Sequence, residues 1–391
     1  KKMAEEEAAA AGGKDEKESS LCIVVGFSSC CSFASAIYEV KIKIGREGVI
    51  VVGGGKEKVT PLAKLFDSVT YGRSISDLVG DALGSEVYLF ASQYNLETDA
   101  YSTLLPMMFN TKTKETRMLP RSVAPKVFPT AIAVKQKEQI FLVSNIRADE
   151  SRPIESLHTN SLLWEVLREA PFHFGKLVAN ISGYAVVKDY ILFSLGYGKK
   201  VEFYAYKMNS VPDVWVPVST MQNVQYYAFN MKAAVVENLI YTYLIPDDIQ
   251  DDDVVTYEFG FRDGCNSLFL GPPVRLQGVK IAHNPEGWNY RTSHCSIAQI
   301  GDRILCLVLT SHNYHHLDIQ PVCITMIRLC DHPNVETLNS TILNLDIEGI
   351  SRANILFCLV PDDEEGKSQA SGAGLEEGGI VNDLEKLKLD E

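Results

Sequence analysis

At 391 residues the chain is long enough for one large domain or two ordinary ones. Apolar residues make up 46% and charged residues 22%, the balance of a globular protein with ample material for a core. The formal net charge of −13 argues against a generic nucleic-acid surface or an anionic membrane as partner.

Residues 1–20 are dominated by Ala, Glu, Lys and Gly without an apolar period and read as a disordered tail. The stretch "SLCIVVGFSSCCSFASA" (20–36) ends in Ala34-Ser35-Ala36, as a signal-peptidase site does. Glu5, Glu6, Glu7, Asp15, Glu16 and Glu18 precede it, where a secretory signal needs positive charge. It is also too short and too serine-rich to span a bilayer, so it reads as a first strand. Next comes "GVIVVGGGKEKVTPLAKLF" (48–66), which poses the question of a dinucleotide turn. Gly53 and Gly55 fit the glycine fingerprint, but its third position is Lys58, and no acid-ended strand or βαβ alternation follows. Short helices are expected at 60–68 and 75–83; everything else between the tails reads as strand.

A unit then recurs: "AIAVKQKEQIFLVSN" (131–145), "GYAVVKDYILFSLGY" (183–197), "KAAVVENLIYTYLIP" (232–246) and "CSIAQIGDRILCLVLT" (295–310). Each is an apolar strand, a polar turn and a second apolar strand that starts at isoleucine, which is a hairpin. The anchors Ile140, Ile191, Ile240 and Ile304 recur at spacings of 51, 49 and 64 residues, with weaker copies at 84–92 and 353–361. A second strand pair follows the hairpins, as in "LLPMMFNTKTKETRMLP" (104–120) and "VEFYAYKMNSVPDVWVPV" (201–218). Four short strands per unit of about 50 residues is the spacing of a propeller blade. Trp164 and Trp215 follow the repeat and are expected to pack between blades.

This unit resembles a degenerate kelch repeat, and residues 37–360 resemble the kelch-like propellers common in plants, often found behind an F-box. The kelch diglycine is matched at Gly53-Gly54-Gly55 and is missing after the four isoleucine anchors. The resemblance implies an all-β fold: a single, six-bladed β-propeller over 21–360, flanked by tails at 1–20 and 361–391. It also implies that "NILFCLVP" (354–361) closes the ring beside "YEVKIKI" (38–44). Relatives of this kind present substrates to ubiquitin ligases. Only about 20 residues precede the first strand here, so a ligase link would run through a separate subunit.

Candidate chemistry is sparse. "TSHNYHHLDIQ" (310–320) groups His312, His315, His316 and Asp318, but no fixed zinc template accompanies them, and a hairpin loop explains them without metal. "PDDIQDDDVV" (246–255) lacks the spacing and glycine of a calcium loop. There is no G-x-S-x-G and no Walker A sequence. Nine cysteines without a CxxC, several of them inside apolar runs, suit a reducing compartment, so a cytoplasmic or nuclear location is expected. The tail 362–391 carries ten acids and three lysines, a net of −7.

The reading of function is a non-catalytic protein-interaction module, monomeric, with no cofactor and no metal, holding a protein partner through loops on one face. The candidate contacts are Trp288, Tyr290 and Arg291 in "HNPEGWNYRTSH" and His312, Tyr314 and His315 in the second loop. The alternative is a hydrolase or lyase with its active site at the central channel.

Overall fold

The computed structural model describes residues 17–28, 33–45, 48–52, 58–67, 75–95, 100–101, 105–126, 129–144, 154–167, 180–197, 200–208, 210, 214–244, 253–261, 267–282, 292–311, 319–347 and 353–361. They form six antiparallel sheets, numbered here as blades 1–6. Blade 1 runs Ala353–Leu359, Lys17–Ser28, Phe33–Gly45, Gly48–Val52, with Pro61–Asp67 also on Phe33–Gly45. Blade 2 runs Ile75–Leu83, Glu86–Asn95, Leu105–Asn110, Thr116–Met118, and blade 3 runs Pro129–Val134, Gln139–Ser144, Glu155–His158, Leu163–Val166. Blade 4 runs Asn180–Val187, Tyr190–Tyr197, Lys200–Lys207, Val214–Pro217, with Met231–Lys232 added in parallel beside its first strand. Blade 5 runs Ala234–Val236, Leu239–Leu244, Asp253–Phe261, Leu268–Leu270. Blade 6 runs Thr292–Gly301, Ile304–Ser311, Ile319–Leu329, Val335–Asp346, extended by Lys58–Val59.

The side-chain period of two explains why these sheets form a ring. Successive residues of a strand point to opposite faces, so a strand apolar on both faces must be covered twice. The second strand of each blade does this. In blade 3, Ile140 and Leu142 enter a core shared with blade 2, while Phe141 and Val143 enter one shared with blade 4. In blade 6, Leu305, Leu307 and Leu309 face blade 5, and Cys306 and Val308 face blade 1. Six such cores join neighbouring blades in turn, the last linking blade 6 back to blade 1. The first strands line the axis. Ala353–Leu359 lies between Thr292–Gly301 and Ile75–Leu83, the latter meets Pro129–Val134, and Asn180–Val187 meets Ala234–Val236. The Tyr184 hydroxyl donates to the Ala131 carbonyl at 3.0 Å, joining blades 3 and 4 at the axis. The chain is therefore a six-bladed β-propeller.

Ile140, Ile191 and Ile240 hold equivalent places: each is the second residue of its strand, buried against the preceding blade. Ile304 does not. A bulge between Gln299 and Gly301 shifts the register, Leu305 takes the equivalent position, and Ile304 faces blade 1 instead. Trp164 sits edge-on to Phe90 of blade 2, and Trp215 of blade 4 packs against Phe193 and Tyr206 in the core shared with blade 3. Both therefore pack between blades.

Three expectations are corrected. Residues 61–67 and 75–83 are strands, and the only helical element among the described residues is one 3-10 turn, Lys135–Lys137. Cross-strand pairing decides both segments: Pro61–Asp67 pairs with Phe33–Gly45, and Ile75–Leu83 pairs with Glu86–Asn95. The tail gives way to strand at Lys17, which pairs with Ile44, so 17–20 belong to blade 1. The closing strand pairs residues 353–359 with 22–27, one strand nearer the axis than 38–44. The segment around Leu21–Phe27 is apolar on both faces and takes the place that the reading gave to its neighbour.

Candidate interaction face and the polar hub at the axis

The two ends of the ring are built differently. At one end the first and second strands of a blade join through 84–85, 135–138, 188–189, 237–238 and 302–303, turns of two to four residues. Gly84, Glu138, Lys188, Glu237, Asn238 and Arg303 have positive φ there, as tight hairpins of right-handed twist require. The strands that flank the longer connections terminate at the opposite end. These connections are 96–104, 145–154 and 245–252 within blades, and 167–179 and 276–291 between them.

In blade 6 the described strand ends next to the two sequence-predicted loops lie at that second end. Thr292 pairs with Ser311, and Thr310 with Val322, so the strand ends that flank 283–291 and 312–318 lie side by side. Trp288, Tyr290, Arg291, His312, Tyr314 and His315 themselves lie outside the described residues. So do Gly53–Gly55, His316, Asp318 and most of the acidic run. Of that run Asp253 is described, in a 2.8 Å ion pair with Arg275. Among the described residues no group of three or more His, Cys, Asp or Glu is arranged to hold a metal, and no helix is long and apolar enough to cross a membrane.

The densest polar constellation in the described structure was not singled out from sequence. Asp81, on the first strand of blade 2, is buried with a side chain 2% exposed. Its Oδ1 accepts from the Ala82 N–H at 2.9 Å and from Lys232 Nζ at 2.7 Å. Its Oδ2 accepts from the Ala133 N–H and the Tyr184 hydroxyl, both at 2.8 Å. One carboxylate thus ties blade 2 to the first strands of blades 3 and 4 and to the segment that enters blade 5. Burial first, then the charge of Asp81, push the Tyr184 phenol up, so it stays protonated and donates. Four donors fill the lone-pair directions of Asp81, and this answers the cost of burying its charge. The same saturation leaves it no free position for acid–base work.

Lys232 reaches Asp81 because the chain before blade 5 runs inward along blade 4. The Phe229 N–H donates to Ser194 Oγ, Asn230 N–H to Thr242 Oγ1, and the Ala233 N–H to the Tyr184 carbonyl. Met231 takes a positive φ of 58° at the bend. Gly183 makes the approach possible: a Cβ there would lie 2.2 Å from the Met231 carbonyl oxygen and 2.5 Å from that of Phe229. The "SGY" of the second repeat is therefore a close-approach glycine. Its neighbour Tyr184 supplies the hub.

A second buried charge pair anchors the connection between blades 2 and 3. Glu155 and Lys126 are both 0% exposed, with Nζ and Oε1 2.5 Å apart. Glu155 also accepts the backbone N–H groups of Val123 and Ala124 at 2.9 and 2.8 Å. The pair fastens this connection at the long-loop end of blade 3.

The fold defines a six-bladed β-propeller with tight turns at one end and long connections at the other. A family model described as protein of unknown function (DUF1668) matches residues 96–220, which include every strand of blade 3 and the first four of blade 4. No curated protein matches the chain. The matched stretch contains Glu155, Lys126, Gly183 and Tyr184, so it covers the buried pair and half of the hub.

Proposed function

We propose that this chain is a non-catalytic protein-interaction module, a kelch-like propeller that holds a protein partner on its long-loop end. The contacts come from Trp288, Tyr290 and Arg291 together with His312, Tyr314 and His315. The observation that carries this reading is the convergence of the strand ends flanking both segments at one end of blade 6. Aromatic and arginine side chains on loops held by a rigid sheet are the usual anchors of protein interfaces. The propeller works as a monomer in the cytoplasm or nucleus, and in the ubiquitin-ligase version of this reading the bound partner is a substrate.

The runner-up, a hydrolase or lyase at the channel, draws on Lys232, whose side chain is 36% exposed beside the axis. The saturated Asp81 weighs against it.

Affinity capture from source tissue with wild type, Trp288→Ala/Arg291→Ala and Lys112→Glu tests the reading. Lys112 is exposed in a turn at the opposite end. The expected result is a set of proteins held by wild type and Lys112→Glu and lost from the double variant. Equal capture by all three overturns the choice of end.

A further inference from the structure

The outer strands of two blades are covered by extended pieces of the chain itself. In blade 5, Ser219 lies parallel to Leu268–Leu270: its N–H donates to the Leu268 carbonyl and its carbonyl accepts from the Leu270 N–H, both at 2.9 Å. In blade 6, Gln277 lies parallel to Asn334, donating to the Pro333 carbonyl at 3.0 Å and accepting from the Val335 N–H at 2.9 Å. Lys58–Val59 pairs in parallel at the far end of the same outer strand. A short extended segment is thus what occupies an outer edge in this ring.

Blade 3 is built otherwise. Its outer strand, Leu163–Val166, pairs with Glu155–His158 on one side only. The Leu167 N–H donates to the Ile154 carbonyl, which puts Leu163 and Glu165 at the hydrogen-bonded positions of the ladder. The N–H and C=O groups of Trp164 and Val166 therefore point outward, and no described residue bonds to them. The connection from blade 2, whose counterpart covers blade 5 at Ser219, is diverted here. Its Pro120 carbonyl accepts from the Trp164 indole N–H at 2.9 Å, and the N–H groups of Val123 and Ala124 go to Glu155.

The side chains around this edge are apolar and cationic. Val166 is 51% exposed, Val123 59% and Leu163 66%. Val166 stands opposite Glu155, whose carboxylate holds the Val123 N–H, so the two valines border the same side of the edge. Arg121 is exposed on the same connection. Arg117 is exposed on the outer strand of blade 2, opposite Met108, and so faces blade 3. Neither arginine forms an ion pair among the described residues. Glu165 alternates with Trp164 to the other side of the strand, where it meets His158 at 3.1 Å.

We propose that Leu163–Val166 is a β-addition site, at which an extended acidic–apolar segment of a partner protein pairs as a fifth strand of blade 3. The outward N–H and C=O groups of Trp164 and Val166 supply the backbone bonds. Alternate side chains of the segment cover Val166 and Val123, and an Asp or Glu reaches Arg121 or Arg117. A second copy of this chain is the poorer match, because its own edge carries the same two cations. The site is separate from the long-loop contacts and does not depend on them.

The probe is a phage-displayed library of random linear peptides, panned on the folded protein with Val166→Pro as counter-selection. Proline at 166 removes an outward N–H and leaves the ladder to Glu155–His158 its bonds. The expected peptides alternate apolar residues, carry at least one acid, and bind wild type about tenfold more tightly than Val166→Pro. Arg121→Glu weakens them by a similar factor at low salt, and Trp288→Ala/Arg291→Ala leaves them unchanged. Backbone N-methylation at each peptide position in turn is expected to disrupt binding to wild type at every second position only. Peptides that bind Val166→Pro equally, or that are lost from Trp288→Ala/Arg291→Ala, overturn the proposal. So do a methylation scan without alternation, a panning that yields no binder, and a wild-type dimer that Val166→Pro dissolves. If Val166→Pro fails to fold, the methylation scan on wild type and the Arg121→Glu affinity decide.

Discussion

Replacing Asp81 by Asn tests whether the axial hub is a brace between blades. The amide is nearly isosteric but offers one acceptor oxygen to a site where four donors converge. If that oxygen keeps Ala82 and Lys232, the new NH2 group faces the Ala133 N–H and the Tyr184 hydroxyl. Tyr184 retains its bond to the Ala131 carbonyl, but the buried Ala133 N–H is left unpaired. An unpaired buried donor costs about 1–3 kcal/mol. Loss of the carboxylate charge opposite Lys232 adds about 1–2 kcal/mol, discounted because that side chain is partly exposed. The sum is about 2–5 kcal/mol. Over about 345 residues of ring it lowers Tm by roughly 3–7 °C. Equilibrium denaturation followed by tryptophan fluorescence, with Lys232→Met as companion, measures it. A loss below about 1 kcal/mol for Asp81→Asn would refute the brace, because the donors would then have found other partners.

Two further substitutions address neighbouring features. Gly183→Ala places a Cβ against two backbone carbonyl oxygens that cannot both retreat, and is expected to cost at least about 3 kcal/mol in the same denaturation assay. Lys126→Met strands a fully buried carboxylate and is expected to cost about 3–5 kcal/mol. Lys126→Met/Glu155→Gln should recover part of that loss, and a double-mutant cycle showing no coupling would contradict the buried pair.

The hairpin unit was legible because its signal is local. An apolar strand, a polar turn and a second apolar strand occupy about 15 consecutive residues, and Ile140, Ile191 and Ile240 stand where that pattern puts them. Trp164 and Trp215 were legible for the same reason. Features set by distant partners were not. Ile75–Leu83 contains Asp77, Gly80 and Asp81, which break the apolar alternation of an inner strand, and its charge is answered by residues 52 and 151 positions away. A signal was nevertheless present. Asp81 occupies the third pairing position before the turn, where the other repeats carry Ile132, Ala185, Ala234 and Ala298. An acid in a column of small and aliphatic residues is a buried-charge signature once the repeats are aligned. The offset of Ile304 was hidden by a bulge, which no spacing count registers. The candidate contacts at Trp288, Tyr290, Arg291, His312, Tyr314 and His315 were chosen by residue chemistry alone; the fold contributes the common end of blade 6 from which both segments depart.

The pairing of residues 22–27 with 353–359 carries a cost during synthesis. An oily strand, Leu21–Phe27, emerges from the ribosome more than three hundred residues ahead of its companion. Throughout that interval the growing arc has an open flank able to recruit any passing β-segment. Nonsense truncation just before Ala353 is therefore expected to yield an aggregating product rather than a slightly weakened one.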